Sequence, residues 1–420
     1  MKHKLLILGS MHEFVKLVKD AGNRGYETFV CDGYTDGPAK EYADHAYDLD
    51  IHKIDEIAAL CKEQGIDGII TSFSDILFEY MVKIAEKAGL KTYCTNEKSM
   101  YLREKQKMKE MFSKLHIPMA KSCLLREYFA SEELSGLRFP VVMKPVNGYG
   151  SRGVFVVNSE EEIRERFFLT SQFSTFQQSI LVEEYNDGYE INMMNWILDG
   201  EVYTISMADR EKSVEIAGDI PHVSRIAYPS RIMNHMYDEA REIVKKTADY
   251  TGIRTGPLCM QFFYRPEDGI QVCECAGRIF GYEHELVAYG SGLCLEDLLL
   301  DYVYEEEHLK ERLAAHDPFK FQNAAGIYFH GREGSRIRDY ETAETVIKRL
   351  GARETLFYYK PGEMVGHGIG AKPYVFRVFI EADSRDSLDG LTKAYYEQME
   401  VPGEDGENLI YGSQMKEYDL

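Results

Sequence analysis

The sequence contains no run of about 20 apolar residues, which is the length that a helix needs to cross a bilayer. The apolar stretch in residues 1–9 is too short for a secretory signal peptide. Basic residues are few relative to acidic ones, 49 against 70, which gives a formal net charge of −21. A field of this sign repels nucleic acids and anionic membranes, so neither is an expected partner. These absences predict a cytoplasmic protein.

Cysteine is scattered and shows no paired motif. The chain has eight cysteines and no C-x-x-C, which argues against a disulfide framework or a zinc site. Cys273 and Cys275 alternate with other residues and are predicted on one face of a strand, but the pattern does not favour a redox role. The length of 420 residues, with 44% hydrophobic and 28% charged residues, is typical of a globular protein with two or three domains.

The first hundred residues alternate strand and helix patterns. Strands are predicted at residues 5–8, 28–31 and 68–71, and helices at residues 14–25, 54–61 and 81–88. This alternation predicts a parallel, doubly wound sheet. The first turn, at residues 9–13, lacks G-x-G-x-x-G, which argues against NAD binding. Ser74 and Asp75 follow a strand-like run and are candidates for substrate contact, although a helix N-cap is an equally good interpretation.

The most informative stretch is residues 139–157. It reads as a strand carrying Lys144, a glycine-rich turn, and a second strand. Glycines 148, 150 and 153 allow such a loop to lay its N–H groups against phosphate oxygens, with a cation at its root. The stretch is not a Walker loop, because G-x-x-x-x-G-K-[ST] is missing and a strand follows. Taken alone, an ordinary hairpin with a flexible turn remains an alternative.

This lysine and glycine loop resembles the phosphate-covering lid of the ATP-grasp superfamily, in its biotin-carboxylase-like and carboxylate–amine-ligase branch. The resemblance covers nearly the whole chain and implies a multidomain fold of the α/β and α+β classes. Residues 1–100 are expected to form a Rossmann-like N-terminal domain. Residues 101–310 are expected to form the ATP-grasp domain, with its mobile lid at about 120–190. Residues 311–420 are expected to complete it as a C-terminal part.

The resemblance also implies an ATP site. A lysine in a helix predicted over residues 99–117 matches Lys105, and the hinge and ribose positions match 183–185 and Glu190. A carboxylate suits ribose because it accepts hydrogen bonds from two hydroxyls, although an exposed acidic strand end is the alternative. The expected ATP ligands are Lys105, Lys144, Asn147, Gly148, Gly150, Ser151, Gly153, Glu183, Glu184, Tyr185 and Glu190.

The hairpin around residues 260–278 resembles the metal-binding part of the family. It implies Gln261 and Glu274 as ligands of Mg²⁺, with Mn²⁺ as an alternative, and Arg278 and Lys144 as catalytic residues. Gln261 stands where an acid is usual, and Ala276 replaces an asparagine. Since Mg²⁺ prefers charged oxygens, the chain is expected to hold fewer ions or to recruit Glu283 or Glu285.

Further charged residues lie where the family contacts its substrate. Arg210, Lys212 and Arg225 are the candidates there, in addition to Ser74 and Asp75. The resemblance implies an ATP-dependent ligase that activates a small carboxylate as an acyl phosphate for attack by an amine. The alternatives are a nucleotide-binding protein without turnover and a biotin-carboxylase-like carboxylation. The two substrates and the assembly state, for which a homodimer is one option, are not specified by the sequence.

Overall fold

The computed structural model describes residues 2–146, 153–174, 179–213, 222–281, 283–366, 374–411 and 415–418. It contains three sheets. Within this part of the chain, no helix has the length and apolarity that a membrane span requires.

The N-terminal sheet is parallel, as its alternating pattern predicts. Its strands β1 to β4 are Lys4–Leu8, Glu27–Cys31, His45–Tyr47 and Gly68–Ile70, in the order β3-β2-β1-β4. Helices α1 to α3 are Val15–Asn23, Ile54–Gln64 and Asp75–Ala88. All four strands except the short β3 are almost fully buried, which explains their continuous apolar runs.

A short region links this sheet to the second one. The helix predicted over residues 99–117 is wrong as a single element. The structure has α4 (Asn96–Ser99), a 3₁₀ turn (Met100–Leu102) and α5 (Lys105–Lys114). His116 follows with a φ of +52°, a left-handed conformation that glycine adopts more easily. A glycine would adopt this conformation with less strain than His116 does.

The second sheet is small and antiparallel. Strands β5 to β8 are Ser122–Arg126, Val141–Pro145, Phe155–Val157 and Ser179–Glu184, in the order β5-β8-β6-β7, and α6 is Glu160–Ser171. Leu125, Met143, Ile163 and Val182 belong to a hydrophobic core separate from that of the rest of the protein. A unit with its own core can move as a body against the remainder.

The third sheet is the largest. Its strands β9 to β17 are Tyr189–Leu198, Glu201–Lys212, Val223–Tyr228, Gly256–Arg265, Gly269–Ala276, Asn323–Gly331, Glu354–Phe357, Tyr374–Ala382 and Ile410–Tyr411. The order is β13-β12-β9-β10-β11-β14-β16-β15, and β17 pairs with β14. Helices α7 to α12 are Met233–Thr251, His284–Ser291, Leu295–Tyr304, Glu306–Ala315, Glu341–Leu350 and Arg385–Gln398. The sheet therefore runs across residue 310, and the division predicted there stays a prediction.

Candidate functional site

A cavity of about 140 Å³ lies between the second sheet and the edge of the third. The connection between β8 and β9 forms one side of it. Apolar side chains of both sheets form the walls, and three lysines also line it. The lining residues are Lys109, Ala120, Val142, Glu183, Glu184, Tyr185, Asn186, Asp187, Gly188, Lys212, Phe263, Val272, Cys273, Lys416 and Tyr418. An apolar slot with a few polar groups is the usual form of a small-molecule site.

Glu183 lines this cavity and lies between two lysines. Its carboxylate forms an ion pair with Lys144 of β6, and its other oxygen lies 2.7 Å from Lys109 Nζ of α5. Burial favours the neutral acid, but the charges of Lys144 and Lys109 overcome it and lower the pKa of Glu183 to about 2. Glu183 is therefore ionised at neutral pH and holds Lys144 at the root of the glycine loop.

Lys109 is a residue that the sequence reasoning did not select. Lys105 and Lys109 are one helical turn apart and share a face of α5, so the i, i+4 spacing was the available signal. In the structure the two lysines pair with different carboxylates: Lys105 Nζ lies 3.3 Å from Glu274, and Lys109 contacts Glu183.

Glu274 and Gln261 face each other across the β12–β13 hairpin. They are cross-strand partners, and Gln261 is also opposite Asn192 on β9. Besides its contact with Lys105, the negative charge of Glu274 interacts with Lys144 and Arg278. The buried Ala276 offers no oxygen from its side chain. The hairpin thus brings together one carboxylate and one amide carbonyl, surrounded by cations.

Arg278 follows this hairpin and is held by the N-terminal sheet region. Its Nε and Nη2 each donate a hydrogen bond of 2.7 Å to the two carboxylate oxygens of Asp75. Although burial favours the neutral acid, the charge of Arg278 lowers the pKa of Asp75. Asp75 is the first residue of α3, and Ser74 caps that helix by accepting a hydrogen bond from Leu77 N at 3.4 Å. The N-cap interpretation of Ser74 therefore describes its contact, while Asp75 binds Arg278 and its role in a site stays a prediction.

Glu190 begins β9 and is buried beside two cations. It pairs with Arg210, and its second oxygen lies 2.7 Å from Lys212 Nζ. Burial alone would raise the pKa of Glu190, but Arg210 and Lys212 lower it. Three of the predicted residues are therefore in contact next to the cavity.

Glu283 and Glu285 are engaged elsewhere. Asn192 and Tyr228 both donate hydrogen bonds to the Glu283 carboxylate, and burial raises the pKa of Glu283. Glu285 lies 2.9 Å from His284 Nε2. Recruitment of either acid as a metal ligand, as expected from the sequence, would require breaking these contacts.

Arg225 does not lie with the other candidates. It is fully buried, 2.5 Å from Glu211 and 2.6 Å from Asp389 of α12. Alternation along β10 directs Glu211 to the sheet face opposite Arg210. The guanidinium thus joins α12 to the sheet, which is a structural contact rather than one with a substrate.

Part of the glycine loop lies outside the described residues, namely Asn147, Gly148, Gly150 and Ser151. Gly153 is described and has a φ of +68°. A Cβ atom there would lie 2.5 Å from the Phe173 ring, so both conformation and space require glycine. The side chain of Glu184 accepts a hydrogen bond of 3.0 Å from Arg138 N, while Tyr185 N donates to Pro140 O at 3.0 Å.

Comparison with known proteins identifies the class of this fold. Residues 137–284 match the ATP-grasp domain family. The formate-dependent phosphoribosylglycinamide formyltransferase of Methanocaldococcus jannaschii is 27% identical over 261 residues, 59% of this chain and 63% of that protein. The D-alanine–D-alanine ligase of Wolbachia pipientis is 26% identical over 203 residues, 47% of this chain and 58% of that ligase. The chain thus spans less than two thirds of the length of either relative.

Solved structures extend the likeness over the whole chain. The L-amino acid ligase from Bacillus licheniformis superposes with a TM-score of 0.78 at 16% identity, covering 95% of this chain and 98% of that one. The phosphoribosylglycinamide synthetase from Anaerococcus prevotii gives 0.71 at 18% identity, covering 96% and 99%. Residues 137–284 therefore belong to the ATP-grasp domain family, and the superposed structures show that this chain shares their overall fold.

Proposed function

We propose that this protein is an ATP-dependent ligase that joins a small carboxylate to an amine. The observation that carries the proposal is the group of cations around Glu274, in which Lys105 lies at 3.3 Å and Lys144 and Arg278 interact with the same carboxylate. This group lies beside the cavity expected to hold the nucleotide. Phosphoryl transfer depends mainly on such positioning of charge.

In the proposed reaction, a carboxylate oxygen of the substrate attacks the γ-phosphorus of ATP and ADP leaves. The amine then attacks the acyl carbon of the resulting acyl phosphate, loses a proton, and inorganic phosphate leaves. Lys105, Lys144 and Arg278 stabilise the negative charge on the phosphoryl oxygens. Enclosure of the site excludes water, which would otherwise hydrolyse the acyl phosphate.

Glu274 and Gln261 are the residues that would hold Mg²⁺. One carboxylate and one amide carbonyl suit an ion whose other ligands are phosphate oxygens and water, as is common for Mg²⁺ at nucleotide sites. The ion would supply charge neutralisation between phosphate groups. With Gln261 in place of an acid and Ala276 in place of an asparagine, this hairpin offers fewer charged and oxygen-bearing side chains. It should therefore hold fewer metal ions than a hairpin with two acids and an asparagine.

The test is ADP release over a panel of carboxylates and amines, with amino acids in both roles. A ligase releases ADP only when a matching pair is present. Lack of stimulation by every pair, with ATP binding intact, would count against the proposal.

A second candidate is a nucleotide-binding protein without turnover, which Gln261 and the buried Ala276 favour. Thermal stabilisation by ATP distinguishes the two. The ligase requires stabilisation that increases with Mg²⁺, whereas the second candidate predicts stabilisation indifferent to the ion.

A further inference from the structure

Residues 415–418 fold back onto the nucleotide cavity, although the polar composition near this part of the chain gives no sign of it. Met415 forms a bridge with Ser213, and Lys416 N donates to Lys212 O at 2.9 Å. This pairing places the segment directly beside the β10 residue that contacts Glu190. It is held by backbone hydrogen bonds, so its position does not depend on side-chain contacts alone.

Lys416 reaches the connection between β8 and β9, which forms one side of the cavity. Its Nζ donates a hydrogen bond to Asp187 O at 3.2 Å, and it lies 5.4 Å from the centre of the Tyr418 ring. A lysine ammonium has three donors, and the side chain lines the cavity. The ammonium of Lys416 can therefore donate to an acceptor of a bound molecule as well as to Asp187 O.

Tyr418 completes the wall between these two contacts. Its ring packs edge-on against Tyr189, with the ring centres 4.8 Å apart, and it also lines the cavity. Tyr189 is buried and directly precedes Glu190. An aromatic ring and an ammonium on one wall match a nucleoside, which presents a flat base and hydroxyls.

We propose that Lys416 and Tyr418 are nucleoside-contacting residues that contribute to the affinity for adenine nucleotides. This inference rests on the proposed function, since it assumes that the cavity holds ATP. The contact involves the nucleoside and not the phosphates. Loss of either side chain should therefore weaken ATP, ADP and adenosine by the same factor.

The experiment is calorimetric titration of the full chain with ATP, ADP and adenosine. Tyr418→Ala should raise all three dissociation constants about tenfold, the upper range for an aromatic contact, and Lys416→Ala should raise them by a smaller common factor. Glu417→Ala is the matched control, because Glu417 is exposed between them and should leave the constants unchanged. Lys144→Ala should weaken ATP more than adenosine.

Two results would overturn the inference, and they are distinguishable. If Tyr418→Ala and Lys416→Ala bind ATP as well as Glu417→Ala does, while Lys144→Ala is impaired, residues 415–418 do not contact the nucleotide and the proposed function stands. If the unsubstituted chain binds no adenine nucleotide, the proposed function itself fails, and this inference with it. Melting temperatures measured without nucleotide show whether each variant is folded. If Tyr418→Ala does not fold, Tyr418→Leu replaces it in the titrations, because leucine retains most of the bulk but not the ring.

Discussion

Arg278 is the residue whose geometry gives the sharpest functional test. Both of its hydrogen bonds to Asp75 use the planar guanidinium fork, which lysine cannot reproduce. We expect Arg278→Lys to keep its affinity for ATP while turnover falls about 100-fold or more, as for lost transition-state donors. Normal turnover in a stable Arg278→Lys protein would refute a catalytic role.

Asp75→Asn tests whether Asp75 positions Arg278. An amide offers one acceptor in place of two, so the fork loses a partner. We expect turnover to fall at least about tenfold, which corresponds to 1.4 kcal/mol in activation free energy, with an unchanged dissociation constant for ATP. If the pair is only structural, the melting temperature should fall while activity per folded molecule stays normal.

The two lysines on Glu183 should differ in what they bind. If Lys144 turns to phosphate when ATP binds, Lys109 remains as the counter-ion of Glu183. We expect Lys144→Ala to cost roughly 2–4 kcal/mol of ATP binding free energy and much less for adenosine. Lys109→Ala should weaken both ligands similarly, because it disturbs the hinge carboxylate. Equal losses for ATP and adenosine in Lys144→Ala would remove its phosphate assignment.

Glu190 is the predicted ribose contact. Its carboxylate has lone pairs beyond those used by Arg210 and Lys212. We expect Glu190→Gln to weaken ATP more than 2′-deoxy-ATP, measured as the ratio of the two dissociation constants. An equal loss for both nucleotides would contradict the assignment.

Among the secondary-structure elements, α8 is anchored to α9 through a buried histidine. His284 Nδ1 lies 2.7 Å from Glu296 and Nε2 lies 2.9 Å from Glu285. Burial opposes the charged ring, but the two carboxylates raise the pKa of His284 from its ordinary 6.5 to about 9. Because the pKa is raised in the folded state, protonation of His284 stabilises the fold. This stabilisation is complete below pH 6.5 and is lost as the pH rises through about 9.

We therefore expect the free energy of unfolding to fall between pH 6.5 and 9, by on the order of 3 kcal/mol. In His284→Gln this decrease should be absent, because glutamine does not titrate. Denaturant unfolding at several pH values measures it. The matched control is His235→Gln, at an exposed histidine of α7, which should keep the pH dependence of the wild type. The same decrease in His284→Gln would contradict the account.

Which elements could be predicted depended on local signals. The β12–β13 hairpin followed from its apolar strands and the turn at residues 265–269, whose proline, aspartate and glycine are strong turn formers. The broken helix over residues 99–117 could not be recognised, since its charged and apolar positions fit one continuous helix. There, tertiary packing overrides the local pattern.

The sequence could indicate individual candidate residues of the site but not the contacts between them. Motifs selected Lys144, Glu183 and Glu274, and the structure places them near one another, while their roles stay predictions. The contact of Asp75 with Arg278 joins residues 203 positions apart, and no sequence pattern encodes such a separation. Lys416 and Tyr418 likewise reach the cavity from about 200 residues beyond Lys212, so only the fold could show them.

For the whole molecule, the arrangement of the three sheets determines the site. The second sheet contributes Lys144 and Glu183, and the third contributes Glu274. Arg278 follows the last strand of that hairpin, and the N-terminal region contributes Asp75. Because the second sheet has its own core, its approach to the third sheet can enclose ATP without unfolding either one. The proposed reaction therefore requires residues from all three regions.

In the proposed reaction, a carboxylate is activated as an acyl phosphate. Once a stimulating pair is found, the carboxylate substrate is labelled with ¹⁸O, and the released phosphate is examined by ³¹P NMR. We expect one labelled oxygen to pass from the carboxylate to each phosphate, with one ADP and one amide formed per phosphate. Phosphate that carries no label, in the presence of amide formation, would contradict it.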